Sequence, residues 1–251
     1  MIFLLLLATL INTTTSTEYQ NSIREANKQR VLLQQIVKEY SFVVSGIYRK
    51  TSPKKLADLI ELFEENQARL ANGDEDLHIA SPPTFELLEL IEHTDEKWNT
   101  LLAKFDDSNF TQIMVLEAKI NANLEFFIES IMVYTRQQNI FLPENIQVIC
   151  NQEYLSERLV KEVALFMLSK FGKMRTIRTK DKFQESIKPI FESEQNLTLS
   201  TELKDLWQKF DNALFDILAR EQKSKGYLRG INELQTKLRI NINKYKEVAR
   251  S

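Results

Sequence analysis

The stretch Ala26-Asn-Lys-Gln-Arg-Val-Leu-Leu-Gln-Gln-Ile-Val-Lys-Glu39 aligns without gaps to Ile149-Cys-Asn-Gln-Glu-Tyr-Leu-Ser-Glu-Arg-Leu-Val-Lys-Glu162. Gln29 and Gln152, Leu32 and Leu155, Val37 and Val160, Lys38 and Lys161, and Glu39 and Glu162 are identical at one constant offset. Neither copy holds Gly or Pro, and apolar residues recur at the three-and-four spacing of a helix. A helical box repeated at this distance predicts two related helical units.

The rest of the chain fits that division. Only 5 of 251 residues are Gly and 5 are Pro, whereas Gly alone usually makes up about 7% of a chain. So few turn formers exclude sandwiches, barrels and doubly wound sheets. Helical periodicity predicts helices over residues 18–49, 52–71, 85–105 and 109–138, with an exposed loop at 73–83. A second series follows after Pro143: 144–171, 183–195, 200–220 and 226–248, with a basic connector at 172–182 carrying Lys173, Arg175, Arg178, Lys180 and Lys182. Each series has one Trp in its third helix, Trp98 and Trp207, and a Tyr near the end of its fourth, Tyr134 and Tyr245. These four residues are the expected core anchors. The fold class is therefore all-α, two tandem antiparallel four-helix units at 18–140 and 141–251, the second with a degenerate box.

The net charge of −2 gives no reason to expect nucleic-acid binding. It conceals an asymmetry: residues 1–140 hold 13 basic and 20 acidic residues, residues 141–251 hold 20 and 15. At the N-terminus, the apolar run Ile2 to Ile11 is followed by Asn12-Thr-Thr-Thr-Ser-Thr17, with Glu18 as the first charge. Residues 1–17 read as an export signal cut near Ser16 or Thr17, too short to span a bilayer. The mature chain is expected to be soluble, not membrane-spanning, and periplasmic or secreted.

The stretch Ile23 to Lys38 resembles the box that opens the N-terminal domain of type IV pilus methyl-accepting chemotaxis transducers, the PilJ-type domain, with a pattern of roughly I-x-x-A-G-R-Q-R-M-L-S-Q-R-I-A-K. Ile23, Ala26, Gln29, Arg30, Leu32, Gln34 and Lys38 match it, with Lys28 for the first Arg, Val31 for Met and Val37 for Ala. Asn27 replaces the Gly of the pattern, Leu33 its Ser and Gln35 its second Arg. The second copy has Asn151 and Glu153 where the pattern has Arg, and keeps Leu155, Ser156 and Arg158. A related box opens the sensing domain of nitrate/nitrite sensor kinases, where its Arg binds the anion. The resemblance implies an extracytoplasmic, all-helical sensing domain without catalytic activity or cofactor.

Two readings of Arg30 follow from the residues themselves. Ile23, Ala26, Arg30, Leu33, Val37, Tyr40, Val44 and Ile47 trace one apolar seam with Arg30 in its middle. A guanidinium stays charged, and its planar fork suits a flat oxyanion. In the first reading Arg30 binds a small anion, with Asn27 and Gln34 as polar neighbours. In the second, Arg30 pairs with Glu153, its equivalent in the other copy, as an internal lock. The second reading makes the chain an interaction protein that docks on a membrane receptor, a pilus component or a second copy of itself.

Other candidates carry less. Glu75-Asp-Leu-His78 is the only Glu-x-x-His and lies in a loop, whereas a di-iron bundle needs two on facing helices. No phosphate loop, nucleophile elbow or zinc motif occurs, so catalytic and metal residues are expected to be none. His93 reads as a surface residue, and Cys150 as a small buried one that cannot form an internal disulfide.

Overall fold

A computed structural model describes residues 2–142, 146–169, 172–192, 197–219 and 224–248, with side chains from residue 16 onward except beside the gaps. Every regular element among the described residues is a helix: α1 Ile2–Ser45, α2 Ser52–Asn72, α3 Phe85–Asp106, α4 Phe110–Gln137, α5 Ile146–Ser169, α6 Lys173–Glu192, α7 Leu197–Ala219 and α8 Lys225–Val248. None of the described helices is long and apolar enough to cross a membrane. The expected signal segment falls largely on residues 1–15, whose side chains lie outside the described residues.

Helix boundaries follow from local chemistry. Pro82 and Pro83 precede α3, and Thr84 caps it by accepting from the Leu87 amide at 3.4 Å. Asn109 caps α4 by accepting from the Gln112 amide at 3.1 Å. The basic connector expected at 172–182 is instead the first half of α6, which starts one residue after Gly172 (φ +103). Thr176, Thr179, Phe183 and Ile187 are all buried. Their helical spacing gives the segment an inward face, while Arg178 and Lys182 between them favour helix and are exposed, and Lys180 pairs with Asp211 at 2.8 Å. The basic charges had hidden that face in the sequence.

The chain packs as two compact units, Met1–Leu33 with Ala57–Cys150 and Gln34–Leu56 with Asn151–Ser251. Each of α1 and α2 therefore gives residues to both. In the first unit α3 packs along α4, the Phe63 and Trp98 rings stack at 4.1 Å, and Ile91, Leu101, Leu124 and Phe127 are buried as well. In the second, α7 packs against α6 and α8, and Trp207 sits between Phe183 (5.4 Å) and Phe210 (5.8 Å).

The loop after α2 is tied down within the first unit. Asp74 and Ile79 exchange backbone hydrogen bonds of 2.9 and 2.8 Å. On α1, Asn21 donates to the Leu77 and His78 carbonyls and Ser22 to that of Ala80. Gly73 ends α2 at φ +76, its amide bonding to the Arg69 carbonyl at 2.8 Å, and a Cβ there would lie 2.9 Å from the Ser81 nitrogen. Both the left-handed backbone and the backbone contact oppose a side chain. Gly73→Ala should therefore cost about 1–3 kcal/mol, read as a lower urea midpoint at unchanged slope.

Candidate functional site in the repeated box

The box helix is buried on nearly every side, not along one seam. Ile23, Ala26, Arg30, Leu33, Val37 and Tyr40 are buried as the seam predicts, but so are Asn27, Gln29, Gln34, Lys38 and Glu39. Val44, placed on the seam by its spacing, is 44% exposed, one residue before α1 ends. The box of α5 repeats the pattern: Gln152, Ser156, Glu157, Lys161 and Glu162 are all buried. Polar groups in such positions must be satisfied within the protein.

In the first unit Gln29 provides a staple. Its Nε2 donates to the Phe63 carbonyl at 2.9 Å and to Gln67 Oε1 at 3.1 Å. Gln67 Nε2 donates in turn to the Ile91 carbonyl at 3.0 Å. Two glutamines thus link α1, α2 and α3. Gln152 does the same in the second unit, donating to the Ser186 carbonyl at 2.7 Å. Each glutamine reaches a carbonyl 34 residues downstream. Gln29→Leu and Gln152→Leu should each lower stability by about 1–3 kcal/mol, measured by urea unfolding.

Arg30 lies beside this staple and is 7% exposed. Its Nε donates to Asn121 Oδ1 of α4 at 3.1 Å and its Nη1 to Asn27 Oδ1 at 3.4 Å. Nη2 lies 3.5 Å from Glu125, a carboxylate on α4 that is 53% exposed. Asn27 is fixed by its own bond to the Ile23 carbonyl, 3.0 Å. Two neutral amide oxygens and one solvated carboxylate are thus among the groups that meet the guanidinium. Gln34, one turn further along α1, is fully buried.

A dense charge cluster lies in the second unit. Glu157 of α5, 1% exposed, accepts from Lys38 Nζ at 2.6 Å, from Gln35 Nε2 at 3.0 Å and from Arg239 of α8 at 2.9 Å. Burial by itself pushes the Glu157 carboxyl up, but Lys38, then Arg239 and the Gln35 hydrogen bond outweigh it and hold the pKa at about 2. The two repeated glutamates are met in similar ways. Glu39 accepts from Ser52 at 2.8 Å and Lys55 at 2.7 Å; Glu162 accepts from Arg158 at 2.9 Å, with Arg175 at 3.7 Å.

The ion pair that joins the two box helices is therefore Lys38 with Glu157. Arg30 meets Glu125, and Glu153 lies 3.9 Å from Arg239, each inside its own unit. Glu157 aligns with Gln34 and not with Lys38, so residues that face each other are offset by one turn from residues that align. Within the cluster only Lys38 carried a signal, its identity with Lys161; Gln29/Gln152 and Glu39/Glu162 likewise marked polar positions that a solvated helix face has no reason to repeat.

The remaining named residues fall as follows. Trp98 is fully buried and donates to Glu64 at 3.3 Å, and Trp207 is 6% exposed. Tyr134 is half-buried, its ring 5.7 Å edge-on to Tyr19; burial and then Tyr134 push the Tyr19 hydroxyl up to about 12. The side chains of Tyr245 and Cys150 lie outside the described residues. His78 stands in the loop at φ +51, and His93 contacts Glu96 at 3.1 Å in solvent. Among the described residues, no group of three His, Cys, Asp or Glu could hold a metal ion.

No curated protein and no solved structure matches this chain. Residues 11–119, somewhat under half of it, match the family described as type IV pili methyl-accepting chemotaxis transducer N-term. The matched residues contain the first box, its Gln29 staple and Arg30, while the second box lies beyond them. In that region the chain is similar to a PilJ-type domain.

Proposed function

We propose that the chain is a non-catalytic sensing module of PilJ type that works outside the cytoplasm, built as two related four-helix units, and that Arg30 with Asn27 receives a small oxyanion such as nitrate or nitrite. Gln34 is the outlying member of the set. The observation that carries this reading is the setting of Arg30. Two of its acceptors, Asn121 and Asn27, are neutral amides, and the Glu125 carboxylate beside it is half in water and at the long distance of 3.5 Å. A buried guanidinium gains more from a close, flat anion than from a solvated side chain. An incoming oxyanion takes the place of Glu125. The match to a chemotaxis-transducer domain supports a sensing role, and the equal reach of Gln29 and Gln152 supports the repeat.

Calorimetry with nitrate, nitrite and acetate tests it. One of them should bind the wild type saturably, with at least a tenfold loss in Arg30→Ala. Absence of heat with all three, from a protein shown to be folded, contradicts the proposal.

A second reading, docking on a protein partner such as a membrane receptor or pilus component, is favoured by one surface of the first unit. Phe85 (70% exposed), Phe126 (59%) and Val133 (50%) stand out from α3 and α4. Phe126 and Val133 line a groove of about 380 Å³ with Leu87 and Tyr134. Apolar side chains grouped in this way suit a partner helix. Phe126→Asp separates the readings, since it should abolish co-purification with a partner and leave the anion calorimetry unchanged.

A further inference from the structure

We infer that the second unit carries a separate site for a phosphate-bearing ligand, at the turn between α1 and α2 where it meets the start of α8. Gly46, Tyr48, Arg49, Lys50, Lys225 and Arg229 line an open cavity of about 440 Å³ there. With Thr51 these make seven lining residues, of which four are cationic and, among the described residues, none is acidic. Its size is that of ordinary small-molecule sites.

The cations are brought together by the backbone. Gly46 (φ +66) and Tyr48 (φ +52) turn the chain sharply after α1, and the Ile47 amide bonds back to the Phe42 carbonyl at 2.9 Å while Ile47 itself is buried. The Thr51 and Ser52 amides both bond to the Tyr48 carbonyl at 2.9 Å, closing the turn. At Gly46, Arg49 Nε and Lys225 Nζ lie 3.0 and 3.3 Å from the point where a Cβ would sit. Two like charges therefore converge over one glycine. Arg229 lies over the Tyr48 ring at 5.7 Å, and Phe42 braces that ring edge-on at 5.5 Å.

The start of α8 sharpens the argument. Lys225 opens that 24-residue helix, and its first turn contains no acidic residue. The positive end of a helix favours anions and disfavours Lys and Arg. Here a helix N-terminus, two of its own cations and two from the α1–α2 turn face one cavity. The four cations are exposed to solvent, and an anion bound among them would relieve their mutual repulsion. A monoanion such as nitrate leaves most of that charge uncompensated, whereas a phosphate monoester or pyrophosphate carries two or more charges. Its oxygens match the forks of Arg49 and Arg229 and the ammonium groups of Lys50 and Lys225.

The phosphate can belong to a free small molecule or to an anionic lipid headgroup, and the experiment distinguishes the two. The whole chain is titrated at low salt with pyrophosphate by calorimetry, and with phosphatidylglycerol vesicles, using phosphatidylcholine vesicles as control, by co-sedimentation. The same titrations are run on Arg49→Gln/Lys225→Gln and on Arg30→Ala. All four cations at the cavity are exposed, so the double variant should fold and melt normally. Saturable binding of pyrophosphate or of the anionic vesicles, weakened at least tenfold in the double variant and unchanged in Arg30→Ala, is the expected result, and the arm that responds names the source. Absence of binding in both arms, or equal binding by the double variant, overturns the inference.

Discussion

Lys38→Met should be the most damaging single substitution in the box, at about 3–5 kcal/mol and a melting temperature lower by on the order of 10 °C. Lys38 and Glu157 are 3% and 1% exposed and 2.6 Å apart. Removing the ammonium leaves a buried carboxylate with only Gln35 and the partly exposed Arg239 beside it. Methionine fills similar space, so the loss is electrostatic and not a cavity. The double variant Lys38→Met/Glu157→Met should recover most of the stability, because both desolvation costs disappear together. Thermal and urea unfolding of wild type, both single variants and the double form the cycle. If the double variant were as unstable as the sum of the singles, the pair would not be coupled.

Acid should loosen the second unit through the same carboxylate. Glu157 titrates at about 2 in the folded chain against an ordinary 4.5. Between those values the unfolded state holds the extra proton, so protonation favours unfolding. The stabilisation is complete above about pH 4.5 and is lost as pH falls towards about 2. The shift corresponds to roughly 3 kcal/mol. Unfolding free energy measured from pH 6 down to pH 2 should show this fall in the wild type and a shallower one in Glu157→Gln, where the titrating group is gone.

The sequence disclosed the helices well and the site unevenly. Scarce Gly and Pro, helical periodicity and the stop at Gly73 are local signals, and they set the ends of α2, α3 and α4 within a residue or two. The start of α6 was obscured because Lys and Arg at its outward positions read as a loop, although Thr176 and Thr179 turn inward. The burial of Arg30 was legible from its place among apolar residues. Its acceptors Asn121 and Glu125 were not, because they come from a helix some 90 residues away. Lys38 and Glu157 also depend on a crossing of helices that periodicity does not encode. What the alignment did mark were Gln29, Lys38 and Glu39, buried polar residues identical in the second copy, whereas Glu157 aligns with Gln34 and carried no such mark. The cations at the α1–α2 turn escaped notice because they are scattered through the sequence and gathered only by Gly46 and Tyr48.

The reading of Arg30 as an anion receptor rests on Glu125 being a displaceable counterion, and Glu125→Gln tests that most directly. This carboxylate is 53% exposed, so the variant should fold and melt close to wild type. With its charge removed, the oxyanion that binds the wild type should bind the variant several-fold more tightly, and the Arg30 Nε resonance should shift on titration in both proteins. Binding that weakens or stays the same in Glu125→Gln, or an Arg30 signal that does not respond to saturating anion, would contradict the account.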